Sequence, residues 1–389
     1  MKFTIRCHAL AFALLCVLLG PSHGARAQKS NDLAVRLERA ASLIGRDQLP
    51  EAEIQLNQVL KVRPNEAAAL NLLGAIRAKQ GKLDEAEALF TRAVQSDKTL
   101  TGARMNLAYL FLLKGATEKT AAELKEVLRL EPANAEAAYR LAWLLLTQGR
   151  ADECIDLVER VRQSQTLSAP LLGVVADAYQ RRGDRGKAIA SLKQAVELSP
   201  GEPSYHYALG VAWLRHPPDL QEAEQSLRRF LNLRLDDAQG QLHLGYVLLK
   251  QKRHAEARDL LERSLQKGAG TPEAFYYLGL IAQGQNEDER AIGLFEKSIQ
   301  LAPSFGHVHV ALGTTYLKLK DYARAQAALE TGAKLTPDDS KAHYNLAMLY
   351  ARLKQPERAQ EEMRIVERLK SEGKAREDAG DTFAPPPPR

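Results

Sequence analysis

An all-α solenoid of about ten stacked helical hairpins is the fold this sequence predicts, and three observations predict it. Apolar residues recur at helical spacing in pairs of stretches joined by short polar turns. The pattern returns every 34 residues. In each copy one position of the first helix is restricted to glycine or alanine. The most regular copy is 272–303, PEAFYYLGLIAQGQNEDERAIGLFEKSIQLAP. There Phe275, Leu278 and Ala282 share one face of the first helix, and Ala291, Phe295 and Ser298 share one face of the second. Gly279 is expected at the closest approach of the two helices, facing Ala291.

The first 27 of the 389 residues differ in kind. Lys2 and Arg6 precede an apolar run from Ala9 to Gly20, and Ala25-Arg26-Ala27 supplies a small-x-small cleavage site. Residues 1–27 therefore read as a secretory signal peptide, and the run is short for a membrane span. No other stretch is long and apolar enough to cross a bilayer, so the processed chain is expected to have no transmembrane segment. Cys7 and Cys16 fall inside this leader, leaving Cys154 with no partner for an internal disulfide. Removing Lys2, Arg6 and Arg26 leaves 51 of the 54 basic residues against 48 acidic ones. That small, interspersed excess argues against a nucleic-acid partner.

From residue 33 the copies start at Leu33, Ala67, Thr101, Ala135, Ala169, Pro203, Ala238, Pro272, Gly306 and Ser340, and only the sixth is one residue longer. Position 8 reads Ala40, Gly74, Ala108, Ala142, Ala176, Gly210, Gly245, Gly279, Gly313 and Ala347. Position 20 is also small, from Ala52 to Ala359, with Thr120 and Cys154 as the non-alanines. Position 24 is large and apolar throughout, including Phe90, Phe295 and Met363. Pro64, Pro132, Pro200, Pro303 and Pro337 close the copies they end. Two joints are irregular. The sixth copy carries Arg215-His216-Pro217-Pro218-Asp219 in its turn, which predicts a longer, stiffer bend. The fourth ends in 163–168 without a proline, which predicts a looser joint. Beyond Gly373 the sequence reads as a disordered, Pro-rich tail, 374–389, after a highly charged last helix.

This 34-residue helix–turn–helix signature, held in register ten times, resembles the tetratricopeptide repeat family. The resemblance covers Leu33 to about Gly373, within a solenoid domain expected over 28–373, and implies a right-handed superhelix, with first helices lining a concave groove and second helices outside. It also implies a protein or peptide partner. A hairpin cannot bury its apolar stripe alone, which is why the copies must stack.

No catalytic motif is present. Arg182-Gly183-Asp184-Arg185-Gly186-Lys187 lacks the phosphate-cradling glycine spacing and falls in an ordinary turn. His206, His309 and His343 stand at position 4, with no metal-ligand spacing among them, so they read as packing residues. Cys154 reads as an enlarged alanine. Neither cofactor nor metal is expected, and the chain reads as a non-enzyme.

The constellation above background is aromatic. By the family's geometry positions 5 and 9 face the groove, and they hold Tyr139, Tyr207, Tyr276 and Tyr344 at position 5 and Tyr109, Trp143 and Tyr246 at position 9. Packing between copies accounts for tyrosine at position 5, which leaves Tyr109, Trp143 and Tyr246 as the better contact residues. The clamp that some family members use for a C-terminal carboxylate is not assembled, since Ala75 follows Asn71 and Glu136 precedes Arg140. The expectation is an exported scaffold of a bacterial envelope, periplasmic or extracellular, binding a peptide or helix in the aromatic groove. The alternative is a structural subunit of a polysaccharide-export or pilus-biogenesis assembly.

Overall fold

The computed structural model describes residues 25–215, 217–267 and 271–378. They form twenty helices and, among the described residues, no strand. The N-terminal hairpins are α1 and α2 (Ala25–Gly45, Leu49–Val62), α3 and α4 (Ala67–Lys79, Leu83–Ser96), α5 and α6 (Thr101–Leu113, Thr117–Leu130), and α7 and α8 (Ala135–Thr147, Ala151–Ser164). The fifth is α9 and α10 (Ala169–Arg182, Arg185–Leu198). There follow α11 and α12 (Pro203–Trp213, Leu220–Leu233), α13 and α14 (Ala238–Lys250, His254–Lys267), and α15 and α16 (Pro272–Gly284, Asp288–Leu301). The last are α17 and α18 (Gly306–Lys318, Tyr322–Leu335) and α19 and α20 (Ser340–Arg352, Pro356–Asp378). From the second copy on, each first helix begins at the residue where the sequence starts the copy.

The chain forms two compact units, residues 1–184 and 185–389, divided in the turn of the fifth hairpin. The expected leader 1–27 lies outside the described residues except for its last three, with which α1 begins. The expected tail 374–389 is corrected in part. Helix α20 runs through Gly373 to Asp378, because Lys374 to Asp378 contains neither glycine nor proline to stop it. Residues 379–389 lie outside the described ones.

Within a hairpin the small residue at position 8 receives the large one at position 24, not the one at position 20 as expected. A Cβ placed on Gly279 would overlap the ring of Phe295, and one on Gly74 would lie 2.6 Å from Phe90. In Gly210, Gly245 and Gly313 the neighbour is Leu227, Leu261 or Leu329 at 2.6–2.8 Å. Phenylalanine stands at position 24 only where position 8 is glycine, a trade of volume across the hairpin. Position 20 is fully buried from Ala52 through Ala325, which explains its own size limit.

The inter-helix turn needs a left-handed residue at position 15. Gly81, Gly115, Gly149 and Gly183 supply it with φ between 71° and 87°. Asp47, Lys252, Asn286, Lys320 and Lys354 adopt it at φ 59–64° despite carrying a side chain. For an L-residue that region costs about 1–2 kcal/mol, partly offset in a glycine variant by the looser unfolded chain. Lys320 is exposed, so Lys320→Gly is expected to stabilise the C-terminal unit by about 0.5–1 kcal/mol. An unchanged or lower denaturation midpoint would contradict this.

Position 4 locks successive hairpins. His206, His309 and His343 donate from Nε2 to the carbonyls of Pro200, Pro303 and Pro337 at 2.8–3.0 Å. Gln241 and Arg104 make the same reach of six residues, to Leu235 and Lys98. These side chains pack, as expected, but they also satisfy the carbonyls left by the preceding helix end. The fourth joint is pinned rather than loose. Its linker is extended at Gln165 and buries Leu167, and α7 packs directly on α9. In the sixth turn Asp219 caps α12 through the N–H groups of Gln221 and Glu222.

Candidate functional site

The first helices present positions 2, 5, 9 and 13 as one stripe, because residues three and four apart share a helix face. In the N-terminal unit that stripe carries Tyr109 on α5 and Tyr139 and Trp143 on α7. Tyr109 donates to Glu136 at 3.0 Å, and the Arg140 guanidinium lies 4.2 Å from its ring centre. Arg140 in turn donates to Glu136 at 2.5 Å. Burial pushes the Tyr109 hydroxyl above its ordinary pKa, so it remains a neutral donor. One face of Tyr109 is therefore engaged within the protein. Tyr139 is partly buried, whereas Trp143 is 39% exposed. Beside this patch Asn106 donates to Asn71 at 2.8 Å across the joint between α3 and α5.

In the C-terminal unit most of the expected rings are engaged with other rings. Tyr207 lies 5.0 Å from Phe230 and 5.4 Å from the His243 ring, with its hydroxyl 3.4 Å from His243 Nδ1. Burial pushes Tyr207 up to about 12 and lowers His243, which stays neutral and donates from Nδ1 to the Gln239 carbonyl. Tyr246 lies 5.1 Å from Tyr277, and Tyr276 lies 5.5 Å from Tyr277 and 5.1 Å from Phe305. Burial also pushes Tyr276 up to about 12. Tyr207 and Tyr276 thus serve packing between hairpins, the role that position 5 suggests. Tyr344 is different, at 47% exposed.

The structure joins Tyr246 to Tyr276 through Tyr277, and Tyr276 to His307 through Phe305. Sequence reasoning missed Tyr277, Phe305 and His243, which stand at positions 6 and 34 and matter only across a joint. A scan for rings at neighbouring positions of successive copies would have found them. On the second-helix side, Tyr179, Tyr316 and Tyr350 donate to Glu159, Glu296 and Glu330 of the preceding hairpin at 2.8–3.4 Å. An open surface groove of about 480 Å³ lies at the Tyr316 clasp, with Glu296, Leu312, Tyr316 and Arg324 among its lining residues. The guanidinium of Arg324 covers the Tyr316 ring at 4.5 Å, so the groove's polar groups already engage each other.

Among the described residues, no group of three metal-ligating side chains exists, and no helix is long and apolar enough to cross a membrane. Cys154 is fully buried, and its thiol is pushed up to about 12 by burial, which leaves it unreactive.

Stacked 34-residue hairpins with a small-residue seam define an α-helical repeat protein. The tetratricopeptide repeat profiles match residues 37–100, 111–178, 176–231, 218–272, 244–304 and 310–372. The chain belongs to the tetratricopeptide repeat family, whose members bind protein or peptide partners. Human protein O-mannosyl-transferase TMTC1 is 24% identical over 197 residues, 50% of this chain and 22% of that protein. Human DnaJ homolog subfamily C member 3 is 22% identical over 236 residues, covering 56% of this chain and 47% of its own. Cellulose synthase operon protein C of Pseudomonas fluorescens is 26% identical over 208 residues, 49% of this chain and 16% of that protein. The chain thus spans less than half the length of these relatives. Among solved structures, the Cut9–Hcn1 hetero-tetramer of the APC/C aligns at a TM-score of 0.51 with 15% identity, over 87% of this chain and 81% of that one. That likeness is one of fold.

Proposed function

We propose that the chain is a non-enzymatic interaction scaffold of a bacterial cell envelope that captures an extended peptide or a helix of a partner protein on its first-helix face. The observation that carries this reading is Trp143. A large ring is left 39% exposed beside Tyr139 and Tyr109, on the stripe where Tyr109, Tyr207, Tyr246 and Tyr276 are engaged within the protein. Tryptophan and tyrosine supply most of the energy in such contacts because they bury large area at small entropic cost. Export rests on the leader-like residues 1–27, and the periplasm is the compartment that fits them. The second reading, a structural subunit of an envelope assembly for polysaccharide export or pilus biogenesis, draws support from the likeness to a cellulose synthase operon protein.

Trp143→Ala combined with Tyr109→Ala is expected to reduce recovery of the partner from envelope extracts about tenfold or more, with the fold retained. Trp143→Ala alone keeps the Tyr109–Glu136–Arg140 group intact and should retain most of that loss. Unchanged recovery with both variants would remove the first-helix face from the account and favour the structural subunit.

A further inference from the structure

Five positions form the joint that a hairpin makes with the next one. Position 24 has at most 1% of its surface exposed in every copy from Leu56 through Leu329. Rings at positions 5 and 9 meet position 6 of the following copy, as Tyr207 meets His243 and Tyr246 meets Tyr277. At position 25, Glu159, Glu296 and Glu330 accept from a tyrosine of the following copy. At position 28, Leu60, Leu265 and Ile299 pack into clusters shared with the next hairpin.

Among the described residues no hairpin follows α19 and α20, and the same five positions stand open there. Met363 at position 24 is 36% exposed, Tyr344 at position 5 is 47% and Met348 at position 9 is 38%. Arg364 at position 25 and Glu367 at position 28 are both exposed. Neither has an oppositely charged partner within 4.0 Å among the described residues. A terminal repeat that meets only water carries a polar outer face. Here charges border an apolar centre instead, which is the make-up of a contact surface.

The order of those charges is self-complementary. Arg364 and Glu367 lie about one turn apart on one side of α20. When two copies of α20 run antiparallel about a two-fold axis, Arg364 of each stands opposite Glu367 of the other. Tyr344, Met348 and Met363 of the two hairpins then close on one another as a four-helix bundle. The first hairpin offers no such fit to these rings. Its position 6 is the exposed Glu38, where inner copies place His243 or Tyr277.

We propose that the α19–α20 hairpin is a self-association surface, on which a second copy of this chain docks about a two-fold axis. The proposal is independent of partner capture at Trp143. Helix α19 is about 20 Å long and two packed helices are about 20 Å across, so the flat face is roughly 400 Å² per copy. That is small for a specific contact, and the dimer is expected to dissociate in the micromolar range.

The test is sedimentation velocity of the full chain from about 1 to about 200 µM, where a monomer–dimer equilibrium is expected. Arg364→Glu and Glu367→Arg should each weaken the dimer about tenfold or more, by setting like charges opposite each other. Both changes fall at exposed positions, so the thermal midpoint in dilute solution should stay in place. An equimolar mixture of the two variants should recover the dimer, because each copy then supplies the charge that the other lacks. A chain that stays monomeric throughout the range would overturn the proposal. If that monomer dimerises once residues 379–389 are removed, the face belongs to that segment instead. A dimer that neither variant weakens, or a mixture without recovery, would also overturn it. Growth beyond the dimer would assign the face to head-to-tail stacking and overturn the two-fold contact.

Discussion

Gly279→Ala is expected to destabilise the C-terminal unit by about 1–3 kcal/mol, although alanine in a helix interior normally gains about 0.5–1 kcal/mol over glycine. The new methyl group would overlap the ring of Phe295, a side chain with no exposed surface, so the ring must shift within the core. The other copies indicate the remedy. Where position 8 is alanine, position 24 is Leu, Val or Met, as in the Ala108–Leu124 and Ala142–Val158 pairs. Phe295→Leu alone should cost about 1–2 kcal/mol through the space it vacates. The double variant Gly279→Ala with Phe295→Leu should be more stable than the sum of the two single effects by about 1 kcal/mol or more. Strict additivity in chemical denaturation would show that the two positions do not share volume.

Gly332→Ala is expected to cost about 2–3 kcal/mol and to resist the same remedy. A Cβ there would lie 2.6 Å from Val310 Cγ2, but also 3.0 Å from the Val310 backbone nitrogen. Trimming with Val310→Ala removes the first contact and leaves the second, so α17 and α18 must still part. A full rescue by Val310→Ala would show that the helices can slide, contrary to a seam set by backbone approach. The two glycines therefore separate two kinds of close packing: one shaped by a facing side chain, the other by a facing main chain.

The fold was legible because it is written ten times. One copy, 272–303, could be imitated by any amphipathic hairpin, but a small residue at position 8 in every copy fixes the frame to the residue. That is why first helices begin at Ala67, Thr101 and the later starts. What stayed hidden depends on contacts that no periodicity records. The partner of Gly279 is Phe295 rather than Ala291, since a helix aims its side chains over a neighbouring turn, not straight across. Lys252 and Lys320 give no sign in sequence of a left-handed backbone, because the turn and not the residue imposes it. His206, His309 and His343 look like idle packing residues until each is seen to meet a proline carbonyl.

The candidate site was legible in part, and for the same reason. Its rings could be placed on a face, but which rings remain open depends on what the next copy places against them. Tyr207 and Tyr276 are taken up by Phe230, His243, Tyr277 and Phe305. Tyr109 is held by Glu136 and Arg140. Trp143 and Tyr344 keep an open surface.

Partner capture by the first-helix face is tested most directly by photo-crosslinking in intact cells, with a photoreactive amino acid at position 143 or, on the second-helix side, at Gln300. The account predicts one discrete adduct from position 143 that is absent from position 300. An adduct from position 300 with none from position 143 would contradict it and place the interaction on the opposite face of the hairpins.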